Sequence, residues 1–140
     1  MLMDPDLEQR LIDSYPTLYE FCHADSGDVP NPTPTIVIDG MACGDGWYAI
    51  LDTLSEYIET NINDHPKRPT IRATQVKQKW GGLRVYTDST PELAYGAIRM
   101  AEQLSRRTCE SCGTTNDVDV AEEDGWRTAL CPSCDPPTNY

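Results

Sequence analysis

The chain has 140 residues, 39% of them hydrophobic, and its 23 carboxylates against 11 basic side chains set a net charge of −12. One modest core fits that length, and no apolar run approaches the roughly 18 residues a membrane-spanning helix needs. The acidic opening MLMDPDLEQR has no apolar leader, so the expectation is a soluble cytosolic protein with reduced thiols, whose overall charge repels duplex DNA at long range.

Asp4-Pro5 predicts a helix start: a side chain that accepts from free amides, then a residue preset for the first helical position. Leu7, Leu11 and Ile12 supply a short apolar face, and Pro16 ends the helix. Thr17 to Cys22 reads as a further helical turn with Leu18, Tyr19 and Phe21. Residues 23–40 form a long connection broken by Pro30, Pro32 and Pro34, with Ile36-Val37-Ile38 as a short strand; connections of this length are often functional or mobile. Asp45 is the expected cap of the clearest amphipathic helix. There Trp47, Ile50, Leu51, Leu54, Tyr57, Ile58 and Ile62 recur at helical spacing, opposite Asp52, Ser55, Glu56 and Glu59.

Ile71 to Asp88 reads as a hairpin turning on Gly81-Gly82, because both central positions of a tight hairpin turn favour positive φ. That turn sets Trp80 opposite Leu83, Lys79 opposite Arg84, Gln78 opposite Val85 and Lys77 opposite Tyr86. Alternation then gives a core face of Val76, Trp80, Leu83 and Val85, and a second face of Gln75, Lys77, Lys79, Arg84 and Tyr86. Like charges placed directly opposite cost a few tenths to about 1 kcal/mol. An anion relieves that cost. It is either an internal carboxylate from Asp52, Glu56 or Glu59, or a phosphorylated ligand or acidic partner held by Lys77, Lys79, Arg84 and Tyr86, with Arg106 nearby. Residues 71–107 carry seven basic and three acidic side chains, against three and thirteen in 1–70 and one and seven in 108–140. Thr90-Pro91 opens the last helix, with Leu93, Ala97, Met100, Ala101 and Leu104 as its expected buried stripe. Arg106 and Arg107 fall at its C-terminal end, where the helix dipole favours cations.

Two C-x2-C pairs close the chain: Cys109 with Cys112, and Cys131 with Cys134, eighteen residues apart. This is the spacing of a zinc ribbon, two tight turns offering four thiolates to one tetrahedral ion. The 26 residues from Cys109 to Cys134 are too few to fold on apolar burial alone, and a structural zinc ion supplies the missing stabilisation. Gly113 eases the chain past the first sulfurs, Pro132 stiffens the second turn, and Trp126, Ala129 and Leu130 are expected to cover the ribbon. Disulfides or unrelated thiols are the alternatives. Four protein ligands leave no open position on the metal, so its role is expected to be structural. Cys43, at a helix start, reads as a buried thiol, with nucleophilic catalysis as the minor alternative. Trp47, Trp80 and Trp126 are expected in the core, with base stacking as the alternative.

Three stretches, CGDGWYAILDTL at 43–54, QVKQKWGGLRVY at 75–86 and TCESCG with GWRTALCPSC at the C-terminus, together resemble a group of small proteins encoded by bacteriophages and prophages. The resemblance spans residues 43–134 and implies a Gly-Trp helix, a basic hairpin, a further helix and a Cys-rich end, and a viral source; it carries no mechanism. The expectation is an α+β fold, with a small antiparallel sheet on two or three helices over residues 1–107 and a zinc ribbon over 108–140. The expected function is non-enzymatic binding of a phosphorylated small molecule or a host protein in the host cytoplasm. A nucleic-acid-binding zinc ribbon is the alternative, and a dimer through the Trp47 helix is left open.

Overall fold

The computed structural model describes residues 1–23, 29–123 and 125–135. Among these residues the fold is α+β, with four α-helices, a three-stranded sheet and a separate C-terminal β-hairpin. Helix α1 (Pro5–Ser14) starts as its sequence dictates: Asp4 Oδ1 accepts from the Asp6 amide at 2.8 Å and Pro5 takes the first helical position. The turn that follows is a short 3₁₀ segment, Glu20–Cys22.

The 23–40 connection departs from expectation. Residues 24–28 lie outside the described residues, and Ile36-Val37-Ile38 is helical, within α2 (Thr35–Asp39). Gly40, at φ 63°, turns the chain into β1 (Met41–Ala42). Strand β1 runs parallel to β2 (Ala73–Lys79), which pairs antiparallel with β3 (Gly82–Thr87), so the sheet is mixed rather than purely antiparallel. A strand of two residues leaves almost no period-2 pattern to read.

Helix α3 (Tyr48–Ile58) is the centre of the core. A 3₁₀ turn (Asp45–Trp47) leads into it and a π-helical turn (Glu59–Asn63) continues it. Asp45 does not cap it; its Oδ1 accepts from the Asp4 amide at 2.7 Å, tying the start of α1 to the start of α3. Trp47, Leu51 and Ile58 are fully buried. The π turn brings Glu59 inward, where its carboxylate accepts from the amides of Thr17 at 3.0 Å and Leu18 at 2.9 Å. Asn63 clamps the approach to β2 through two hydrogen bonds to the Ile71 backbone.

The hairpin register differs from the expected one. Lys79 pairs with Gly82, Lys77 with Arg84 and Gln75 with Tyr86, so the turn is Trp80-Gly81. Trp80 takes φ 54° and Gly81 φ 81°, and Gly82 belongs to the strand. A Cβ on Gly81 would come within 2.5 Å of Val120 Cγ1, so the turn presses against the C-terminal hairpin and admits no side chain there. The strands are slid by two residues relative to expectation, which changes partners and preserves faces. Val76, Leu83 and Val85 are buried as expected, while Trp80 is 67% exposed at the turn.

Helix α4 (Glu92–Ser105) lies along the free edge of β3, where Ser105 Oγ accepts from the Leu83 amide at 2.8 Å. Its buried side chains are Ala94, Ile98, Ala101, Glu102 and Ser105; Met100 is 72% exposed, and Leu93 and Leu104 are also exposed. The expected stripe therefore faces solvent except for Ala101 and the half-buried Ala97. The hairpin β4 (Asp119–Glu123) with β5 (Trp126–Leu130) follows. Ala129 is buried beneath it, but Trp126 is 73% exposed. Of the three tryptophans only Trp47 is core.

Candidate metal centre and binding faces

The four cysteines of the two C-x2-C pairs converge, their sulfurs all within 4.8 Å of one another. Cys112 and Cys131 sulfurs are 3.7 Å apart; a tetrahedron with metal–sulfur bonds of about 2.3 Å has edges of about 3.8 Å. Each pair sits on a tight turn. The Gly113 amide donates to the Cys109 carbonyl at 2.9 Å, and the Cys134 and Asp135 amides donate to the Cys131 carbonyl at 3.1 and 2.9 Å. Gly113 takes φ 82° to leave the first turn. Burial raises the Cys109 thiol, but the backbone amides of Cys112, Cys131 and Ser111 outweigh it and bring it down to about 6. Cys134, crowded by the sulfurs of Cys131, Cys109 and Cys112, is pushed up to about 12. Sulfurs so close do not all ionise without a cation among them. The donor set and its spacing fit one metal ion.

The cluster is stitched to α3. The Gly46 amide donates to the Glu110 carbonyl at 2.8 Å, the Gly44 amide to Glu110 Oε2 at 2.9 Å, and Trp47 Nε1 to the Thr108 carbonyl at 2.9 Å. The Glu110 amide donates to the Ala129 carbonyl at 2.8 Å, joining both cysteine turns to the same seam. A Cβ on Gly46 would collide with the Cys109 carbonyl, so the Gly-Trp of CGDGWY is a packing requirement. Cys43 is fully buried beside this seam, and burial, helped by the Glu110 carboxylate, pushes its thiol up to about 12. That is the opposite of an activated nucleophile.

The cationic face contains the expected residues with different partners. Lys77 stands across from Arg84, Lys79 lies 5.3 Å from the Trp80 ring and Tyr86 is exposed. No ion pair among the described residues joins these charges to Glu56 or Asp52; Asp52 accepts from the Tyr15 hydroxyl, and Glu59 caps backbone amides instead. Arg84 Nη1 meets Glu102 Oε2 at 3.4 Å. Arg106 crosses over Gly82.

An apolar groove of about 1010 Å³ between α3 and α4 went unread in the sequence. Tyr48, Thr53 and Tyr57 line one wall; Leu93, Met100 and Leu104 line the other; Cys112 and Gly113 of the metal cluster close one end. The signal was present: α4 bears two apolar stripes, 93/97/100/104 and 94/98/101, where one would fill the core.

No protein-family model, no curated protein sequence and no solved structure matches the chain. Among the described residues no helix is long and apolar enough to cross a membrane.

Proposed function

We propose that this chain is a non-enzymatic, zinc-containing accessory protein of bacteriophage type that holds an amphipathic helix of a host protein in the α3–α4 groove. Four thiolates around one position are the preferred set for Zn²⁺, with no site left for substrate, so the ion is structural. The groove supports the binding function. It is as large as a small-molecule or peptide site, and its exposed Met100, Leu104 and Leu93 form a continuous stripe on one helix. Methionine suits such a surface because its flexible thioether adapts to the side chain it meets.

Charge selects the occupant. The groove lining includes Asp45 and Glu92 and no lysine or arginine. A second copy would bring −12 against −12, whereas a helix with a leucine face flanked by lysines complements both the stripe and its rim. The test is titration of the zinc-loaded protein with two synthetic amphipathic helices, one Leu/Lys and one Leu/Glu, followed by the methyl resonances of Met100, Leu104 and Leu93. Saturable shifts with the Leu/Lys helix alone are expected. Equal binding of the Leu/Glu helix, or self-association through these methyls in sedimentation, overturns the reading.

A further inference from the structure

The groove occupies one side of α4; the other side carries a different site. We infer that the seam between β3 and α4, over Gly82, binds the phosphoryl group of a small phosphorylated molecule. Three guanidinium groups gather there. Arg84 and Arg99 both reach the same oxygen, Glu102 Oε2, at 3.4 and 3.3 Å. Arg106 Nε and Arg84 Nη1 lie 3.0 and 3.5 Å from the point where a Cβ on Gly82 would stand. The missing side chain at Gly82 is what lets two guanidinium groups share that space. Lys77 adds an ammonium group across the strand pair from Arg84.

Glu102 pairs with two of these four cations, Arg84 and Arg99. Among the described residues Arg106 and Lys77 have no ion-pair partner, in a chain with 23 carboxylates to offer. Arg72 shows what neutralisation looks like in the same molecule: Asp88 at 2.9 Å, Glu20 at 3.1 Å, and the Phe21 ring beneath. The helix dipole accounts for a cation at the end of α4, but not for Arg84 and Arg99 converging on one oxygen from a strand and from mid-helix. Arg84 Nη1 also donates to the Leu83 carbonyl at 3.3 Å, and the guanidinium N–H groups left over by these long contacts match the several oxygens of a phosphoryl dianion. The exposed Tyr95 ring, 6.0 Å from the Arg99 guanidinium, offers a flat surface for the organic part. The ligand is small, because the net charge of −12 repels a polyanion before it arrives.

The probe is inorganic pyrophosphate, titrated calorimetrically into the zinc-loaded full chain and into Arg106→Gln, Gly82→Ala and Glu102→Gln, with arginine Nε–Hε resonances followed in parallel. Expected are one saturable site, shifts at Arg84 and Arg106, and affinity about tenfold weaker for Arg106→Gln. Gly82→Ala weakens binding with every charge retained, and Glu102→Gln, which removes the competing carboxylate, tightens it. Affinities unchanged across the three variants, or a single-stranded oligonucleotide binding more tightly than pyrophosphate, overturn the assignment. Leu/Lys-helix binding by the same Arg106→Gln protein keeps this test separate from that of the groove.

Discussion

Helix α4 carries two outer surfaces that the fold treats in opposite ways. On one, Leu93, Met100 and Leu104 are apolar and partly in water, so they forgo roughly 25 cal/mol for each Å² left uncovered. On the other, Arg99 and Arg106 bring two positive charges beside Tyr95, and among the described residues the paired carboxylate there is Glu102, which Arg99 shares with Arg84. Between them runs the stripe that the core does use: Ala94, Ile98, Ala101 and Ser105. Each set repeats with the same helical spacing, and successive residues turn by about 100°, so the two outer sets stand about 160° apart. The small stripe is buried because β3 approaches closely enough for Ser105 to take the Leu83 amide. The large stripe is left out because nothing in the described chain covers it. Apolarity alone does not decide burial; the distance of the neighbouring element does.

Metal removal separates the two surfaces most strongly. A structural zinc ion contributes on the order of 10–16 kcal/mol of apparent binding energy at neutral pH, and Cys112 and Gly113 form one end of the groove but no part of the Gly82 seam. A chelator is expected to abolish amide protection in β4 and β5 and at Gly46, whose amide donates to the Glu110 carbonyl. Binding of the Leu/Lys helix falls with it, while the pyrophosphate site persists for as long as α3 and α4 stay folded. Hydrogen exchange with and without chelator reads this out. Full protection without metal removes the ion from the fold.

The cysteine turns were legible because their signal is local: two pairs, each fixed by three residues of spacing. The same holds for α1, where Asp4-Pro5 states its own boundary, and for α3, whose apolar residues recur over fifteen positions. What could not be read depended on partners distant in sequence. Gly-Gly suits a turn and so points to turn chemistry at Gly82, whereas Gly82 is a strand residue with Arg106 crossing over it. Trp80 accepts positive φ in its place. The composition of the cationic face survived because a slide of two residues keeps each side chain on its own face. The charge partner did not: Glu102 lies eighteen positions beyond Arg84, on another element.

Alkaline titration is the next largest effect, and it acts on both surfaces together. Burial raises Cys43 from 9.0 to about 12 and Cys22 from 9.0 to about 11. A thiol that ionises later in the folded state than in the unfolded one adds no pH slope below pH 9. Above it, stability falls by about 1.4 kcal/mol per pH unit for each such group until the folded value is reached. Urea midpoints between pH 8.5 and 11.5 should decline accordingly. Cys43→Ala lowers stability near neutrality and flattens the decline. An unchanged slope in that variant removes Cys43 as its source.

Glu59 tests whether the end of α3 is a fixed wall. Its carboxylate serves the Thr17 and Leu18 amides and Asn63 Nδ2, so Glu59→Ala leaves buried donors unanswered, at a cost of about 2–3 kcal/mol. Thermal denaturation should show this. The groove lies at the other flank of α3, so the affinity of the folded Glu59→Ala protein for the Leu/Lys helix is expected to change little.

The smallest effect on stability is the sharpest test of the comparison. Met100 and Ile98 stand two positions apart on α4, one 72% exposed and the other 5%. Ile98→Gln puts an amide into the packed stripe against β3 and is expected to cost about 3 kcal/mol. Met100→Gln puts the same amide into water and should leave unfolding within about 0.5 kcal/mol of the parent. The order reverses for function: Met100→Gln weakens the Leu/Lys helix about tenfold, since a methionine at the centre of the stripe is the kind of contact that dominates a docked helix, and pyrophosphate affinity does not move. If Met100→Gln destabilises as much as Ile98→Gln, the outer stripe is covered by part of this same chain, and the groove is core instead of a surface kept for a partner.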